Sequence, residues 1–136
     1  MAHAHHFDPD DPVLAQLREI CMAFPGADEK VSHGRPCFFT KKVFAIYGGA
    51  TNGENATNFE QSLVFKVVED ERLALEQHPL VYTPMYWGPS GWLGYDLTAD
   101  TNGTTDWGEV AELVEDSFRL TANKTQIKAF DAERYL

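Results

Sequence analysis

The sequence predicts an α+β domain in which an antiparallel sheet is covered on one face by helices. Two segments, near residues 11–24 and 106–120, repeat apolar residues at helical spacing. Between them, short runs rich in aromatic and β-branched residues alternate with turn-forming residues. The chain has 136 residues, of which 43% are hydrophobic, so it is long enough for a real core. We therefore expect one domain over residues 10–136, preceded by a mobile tail at residues 1–9.

The first predicted helix begins at Asp10 or Asp11, because either carboxylate can cap it, with Pro12 in its first turn. The helix ends before Pro25-Gly26, a pair that interrupts helices. The residues at helical spacing that form its predicted buried face are Val13, Leu14, Leu17, Ile20, Cys21 and Phe24.

Five strands and a short helix are predicted in the middle of the chain. The glycine- and asparagine-rich segment 48–58 is predicted to be a loop, and residues 69–79 a short helix that Pro79 ends. The last two strands should form a hairpin across Gly88–Gly91, which would place Trp87 and Trp92 opposite each other, at least one of them buried. The predicted strands are 36–40, 43–47, 61–68, Met85–Trp87 and Trp92–Leu97.

The last predicted helix follows a loop at residues 98–105. Asp106 is in the capping position, and Glu109 lies three residues later, as a capping box requires. The predicted buried residues of this helix are Trp107, Val110, Leu113, Val114 and Phe118.

Several short motifs occur in an order and spacing that resemble the MmcQ/YjbR-like family of small bacterial proteins. They cover roughly residues 14–124 and are Phe24-Pro25-Gly26-Ala27, His33-Gly34-Arg35-Pro36 leading into Phe38, Lys42-Val43-Phe44-Ala45, Phe65-Lys66, Trp92-Leu93-Gly94, and Ser117-Phe118-Arg119-Leu120 with Lys124. The resemblance implies a CyaY-like fold, also described as a double-wing arrangement. It further implies a DNA-binding role, with no catalytic residues and no cofactor.

The charged residues are unevenly distributed along the chain. The formal net charge is −10, whereas a typical nucleic-acid-binding domain is basic. Residues 30–42 nevertheless contain no acid, and residues 73–118 contain no Lys or Arg. We therefore predict a local basic patch that contacts DNA weakly, or another anion. Its candidate residues are Lys30, Arg35, Lys41, Lys42, Arg119 and Lys124.

The aromatic segment 85–97 supports an alternative function. Tyr86, Trp87 and Trp92 could brace the sheet, or they could form a surface that binds a protein or a small ligand. Because this segment is acidic, stacking on nucleotide bases is the least favoured of its roles.

Other classes of protein find less support in the sequence. The chain contains no apolar run that could span a membrane and no signal-peptide pattern at its start, so we expect a cytoplasmic protein. Cys21 and Cys37 are predicted to be free buried thiols. Without a CxxC or HExxH motif, we expect no metal site, and the acids of the last helix are read as a solvated face. We expect that the protein is not an enzyme. An enzyme of unknown chemistry is the weakest alternative.

Overall fold

The computed structural model describes residues 7–98 and 104–135, and within them it shows six strands and four helices. The sheet order is β1-β2-β3-β4-β6-β5, and every neighbouring pair is antiparallel. The predicted α+β class is therefore confirmed. The elements are α1 (Pro12–Met22), β1 (Asp28–Ser32), β2 (Arg35–Phe39), β3 (Val43–Ala50), β4 (Asn58–Lys66), α2 (Glu69–Glu76), β5 (Val81–Tyr82), β6 (Trp92–Asp96), α3 (Trp107–Thr121) and α4 (Lys124–Tyr135).

Helices α1 and α3 cover the same face of the sheet, as predicted. Their apolar faces join one core cluster with Phe44, Leu63 and Phe65, which the alternation of the strands directs toward the helices. Both predicted caps are present: Asp11 accepts a hydrogen bond from the Val13 amide at 2.9 Å, and Asp106 accepts one from the Glu109 amide at 3.0 Å. Partly buried residues of α2 and α4 pack against this cluster from the same side.

Ser117 joins α3 to two strands of the sheet. Its hydroxyl donates to the carbonyl oxygen of Phe44 at 2.6 Å and accepts from the amide of Lys66 at 2.9 Å. Its side chain is fully buried in the apolar face of α3. One polar atom therefore satisfies backbone groups of β3 and β4 and sets how α3 lies on the sheet.

The hairpin of β1 and β2 was not predicted. His33 and Gly34 have φ values of +53° and +78°, and Ser32 pairs with Arg35 across them. Positive φ at both central residues defines the two-residue turn that suits the twist of a hairpin. β1 was missed because it is a charged edge strand with little buried surface, so it lacks the alternation of a half-buried strand.

The predicted strand at Met85–Trp87 is wrong. This segment forms successive turns and a 3₁₀ turn at Gly88–Ser90. Both edges of β6 are already occupied, one by β4 and the other by β5, so residues 85–87 have no strand edge with which to pair. Trp92 is buried, as predicted, but Trp87 does not lie in a paired strand.

The loop between β3 and β4 is shorter than the predicted loop at 48–58. β3 continues through Gly48 and Gly49 to Ala50, and β4 begins at Asn58, so only residues 51–57 connect them. The short helix is confirmed as α2, whereas α4 was not predicted. The histidines at positions 3, 5 and 6, in the predicted tail, lie outside the described residues. So do residues 99–103 of the predicted 98–105 loop.

Candidate functional site

One face of the sheet carries no helix in the described ranges, and we call it the open face. All four helices contribute to the core cluster on the opposite face. The open face has a smaller apolar cluster of its own, against which Val43 and Tyr82 pack. Its buried members come from four adjacent strands and are Cys37, Ile46, Val64 and Trp92.

Three cations lie on the open face around this cluster. Lys30 is directly opposite Cys37 in the register, and Lys66 is directly opposite Trp92. Directly paired residues of an antiparallel ladder share a face. Arg35 lies two residues before Cys37, so it belongs to the same face.

Lys41 and Lys42 lie in the turn between β2 and β3, which we call the β2–β3 tip (residues 40–42). Both lysines are exposed, as expected for this turn. The ammonium group of Lys30 lies 4.8 Å from the ring centre of Phe39, the last residue of β2 before the tip. The predicted basic segment 30–42 thus runs from one edge of the open face to one end of the sheet.

The structure separates Arg119 from this basic segment. Arg119 belongs to α3 on the opposite side of the sheet, where its guanidinium group donates to Glu115 at 3.2 Å and to Asp131 at 2.7 Å. These hydrogen bonds, with that of Asp131 the largest effect, raise the pKa of Arg119. Its charge is already balanced by acids. Lys124 is the first residue of α4, also on the helical side.

Ion pairing differs between the two sides of the molecule, and acids such as Asp28 and Asp96 also lie on the open face. On the helical side, arginines pair with acids: Arg18 with Glu29 at 2.6 Å is one example. By contrast, the five sheet cations have no ion pair within the described residues. They are Lys30, Arg35, Lys41, Lys42 and Lys66. The sequence showed the segregation of charge, but it did not show that Lys66 joins this group, because the register alone places it there.

The aromatic loop 83–91 connects β5 to β6, and its Met85 amide donates to the carbonyl oxygen of Ala50, the last residue of β3, at 2.7 Å. Trp87 packs on Trp92 with ring centres 5.3 Å apart. Arg72 donates to the Gly88 carbonyl oxygen at 2.9 Å, which ties the loop to α2. Tyr86 is 81% exposed and has a left-handed backbone, with φ of +70°. Of the three predicted aromatic contact residues, Trp92 is therefore structural, Trp87 is half covered, and Tyr86 faces solvent.

Arg35 occupies a space that glycine creates. A Cβ atom on Gly48 would lie 2.3 Å from Nη1 of Arg35, so a larger residue would displace the guanidinium group. The Nη1 atom is buried and has no hydrogen-bond partner in the described part of the chain. The hydroxyl of Tyr82 occupies the equivalent space over Gly49 and bonds to Ser62 at 2.7 Å.

Neither cysteine is suited to nucleophilic chemistry. Both thiols are free and buried, and burial raises the pKa of each, most strongly for Cys21. A thiol with a raised pKa is a poor nucleophile at neutral pH because the thiolate is the reactive form. In the ranges that the structure describes, no group of three or more His, Cys, Asp or Glu side chains is placed to hold a metal ion.

A groove of about 200 Å³ lies between α2 and α3 on the helical side. Apolar residues such as Leu75 and Leu113 line it together with Glu71, Asp116 and Arg119. Burial, followed by repulsion from neighbouring acids, raises the pKa of Asp116. The groove therefore mixes charges of both signs and shows no set of polar groups directed at a single ligand.

A family model described as YjbR matches residues 22–120. The chain belongs to the YjbR family. The fold agrees: a crystal structure from Pseudomonas syringae has a TM-score of 0.59 at 19% identity, covering 79% of this chain and 97% of that one. A Deinococcus radiodurans protein with a DUF419 domain has a TM-score of 0.58 at 20% identity, covering 88% and 86%. No curated protein matches the chain at a significant level.

The resemblance predicted from the motifs is thus confirmed, and the matched residues include both strands of the basic segment. Both solved structures are at most 20% identical to this chain, so the likeness to them shows the fold alone. In the described ranges, none of the helices has the length and apolar character that crossing a membrane requires.

Proposed function

We propose that this YjbR protein is a DNA-binding protein without catalytic activity, which contacts phosphates through the open face and the β2–β3 tip. The single observation that supports this most is the set of five sheet cations that have no ion pair in the described residues. Arginines of the helical side are paired with acids, so they are less available to a phosphate.

Local charge outweighs net charge at contact distance. Screening reduces interactions between exposed charges more than about 8–10 Å apart at physiological salt. The acids of α2, α3 and α4 lie beyond the sheet from the open face, so the acids nearest to the sheet lysines are the strand residues Asp28 and Asp96. The net charge of −10 still opposes association, which predicts weak binding at physiological salt.

The shape of the basic segment suits a groove or the phosphate backbone of DNA. The β1–β2 turn at His33–Gly34 and the β2–β3 tip lie at opposite ends of β2, so the basic segment extends along the whole length of this strand. β6 is two strand spacings from β3, about 10 Å. A DNA-binding function fits the double-wing description and implies a cytoplasmic location in a bacterium, where DNA is accessible.

The proposal is tested with labelled duplex DNA in a fluorescence anisotropy titration at several salt concentrations. If about three to five phosphates are neutralised, log K should fall with log salt at a slope of about −3 to −5. The double change Lys41→Glu and Lys42→Glu should abolish binding. Two single variants make a matched comparison, since Lys42→Glu and Lys128→Glu alter the net charge equally but Lys128 is exposed on α4. Only Lys42→Glu should weaken binding.

Equal weakening by Lys42→Glu and Lys128→Glu would refute the interface, as would no binding at low salt with protein at about 50 μM.

A second candidate function is a binding module for a protein or small ligand that uses the aromatic loop. The observation in its favour is the exposed, left-handed Tyr86 beside the half-covered Trp87. Strained backbone conformations often occur at binding sites. Binding of this kind should weaken in Tyr86→Ser and should be nearly independent of salt, which distinguishes it from phosphate contact.

A further inference from the structure

Arg35 is the one sheet cation with an enclosed charged atom. Its Nη1 is buried without a partner, and no other donor of this guanidinium group has an acceptor in the described part of the chain. A guanidinium group carries five N–H donors and remains charged at all physiological pH values. Removing such a charge from water without a partner is unfavourable, so buried arginines are normally paired.

The backbone around Arg35 is built to hold the side chain in this position. The two-residue turn at His33 and Gly34 fixes the direction in which β2 begins, and Arg35 is its first residue. Gly48 has a φ of +93°, and its missing side chain leaves the volume that the guanidinium group fills. Two separate strands thus place a cation where no acid of the described residues pairs with it.

Polar and aromatic side chains surround the Arg35 guanidinium group. The ring of Tyr82 lies flat over Gly94, and Phe59 stacks on it with ring centres 4.1 Å apart. The Tyr82 hydroxyl is held by Ser62, whose own hydroxyl donates to the Phe59 carbonyl oxygen at 2.8 Å. Because Ser62 and Tyr82 satisfy each other, neither is needed to balance Arg35. Within residues 7–98 and 104–135, no group supplies a counter-charge for Arg35.

We propose that Arg35 is an oxyanion-binding site in which the guanidinium group, held over Gly48, binds one phosphate group. A planar guanidinium group fits two oxygens of a phosphate at once, which gives short and directional hydrogen bonds. The phosphate is either inorganic phosphate or part of a nucleic acid. The inference rests on the proposed function only for the second source, and in that case it identifies the residue that anchors one phosphate.

Thermal unfolding in sodium phosphate, compared with sodium chloride at equal ionic strength, tests the site. At a phosphate concentration ten times Kd, the melting temperature of the wild-type protein should rise by about 3–6 °C. Arg35→Met keeps the apolar stem and removes the charge, so it should show no rise. Lys128→Met removes an exposed charge on α4 and should keep the full rise. In phosphate-free buffer, Arg35→Met should melt at the same temperature as wild type or higher, because an unpaired charge has been removed.

Several results would overturn the proposal. They are no phosphate-dependent rise in wild type, an equal rise in Arg35→Met, or a large loss of stability of Arg35→Met in phosphate-free buffer. The last result would assign Arg35 a structural role. If Arg35→Met does not fold, a phosphate titration of ¹⁵N-labelled wild type replaces it: amide shifts centred on Gly48 support the site, and shifts elsewhere or none refute it.

A second titration separates the two sources of phosphate. Oligonucleotides with and without a 5′-phosphate are compared with inorganic phosphate, in wild type and in the Lys41→Glu/Lys42→Glu variant. If inorganic phosphate binds and DNA does not, the Arg35 site stands and the proposed function fails. If DNA binds with the same affinity in wild type and Arg35→Met, while the lysine variant does not bind DNA and inorganic phosphate does not bind wild type, the proposed function stands and the Arg35 site fails.

Discussion

Replacing Ser117 by alanine should destabilise the protein far more than removal of one oxygen atom suggests. The change leaves the Phe44 carbonyl oxygen and the Lys66 amide without the hydroxyl that they share, in a fully buried position. An unsatisfied buried polar group costs about 1–3 kcal/mol. Alanine is the better helix former by about 0.5 kcal/mol, which offsets a small part. We therefore expect a loss of about 2–4 kcal/mol in the free energy of unfolding.

Urea unfolding followed by tryptophan fluorescence measures this loss. With a slope of about 2 kcal/mol per molar urea, the midpoint of Ser117→Ala should fall by about 1–2 M. Thr121→Ala is the matched control on the same helix, because the Thr121 hydroxyl donates to a carbonyl oxygen of the preceding turn and supports no strand. Its midpoint should stay within about 0.3 M of wild type. The reasoning is refuted if both variants behave alike, or if the Lys66 amide exchanges no faster in Ser117→Ala.

Three further predictions follow from individual contacts. Because burial and nearby acids raise the pKa of Asp116, its ionised form weakens the folded state once the pH exceeds the unfolded pKa. Asp116→Asn should therefore raise the melting temperature at pH 7 and leave it unchanged near about pH 3, and an equal rise at both would contradict this. Gly94→Ala should destabilise the protein by about 2–3 kcal/mol, because the new Cβ would lie 2.2 Å from the Tyr82 ring. A urea midpoint equal to that of wild type would show that the ring moves aside without cost. Cys21 and Cys37 should react with an aromatic disulfide only after unfolding, and rapid reaction in native buffer would disprove their burial.

The sequence by itself determined the features that depend on neighbouring residues. The helical repeats of α1 and α3 are local patterns, and their caps at Asp11 and Asp106 are side chains that bond to amides two or three residues away. The order of short motifs, over roughly residues 14–124, was enough to identify the family, whose model matches residues 22–120. Segment 30–42 appeared as a basic stretch because its cations are close along the chain.

Patterns of neighbouring residues did not predict the charged edge strand β1 or the weakly amphipathic helix α4. β1 buries almost nothing of its own, so its pairing partner and not its composition makes it a strand. The segment 85–87 shows the opposite case. It has aromatic residues typical of a strand, but β4 and β5 already pair with both edges of β6, and an edge can hold only one partner.

Tertiary structure alone decided what the candidate site contains. Arg35 meets Gly48, thirteen positions along the chain, because the register of the β2–β3 hairpin brings them together. Lys66 joins the sheet cations for the same reason, and Arg119 leaves the predicted patch because α3 carries it to the acids Glu115 and Asp131. Charge acts through space, and the distance between two charges depends on strand register and helix packing, which the order of residues along the chain does not reveal.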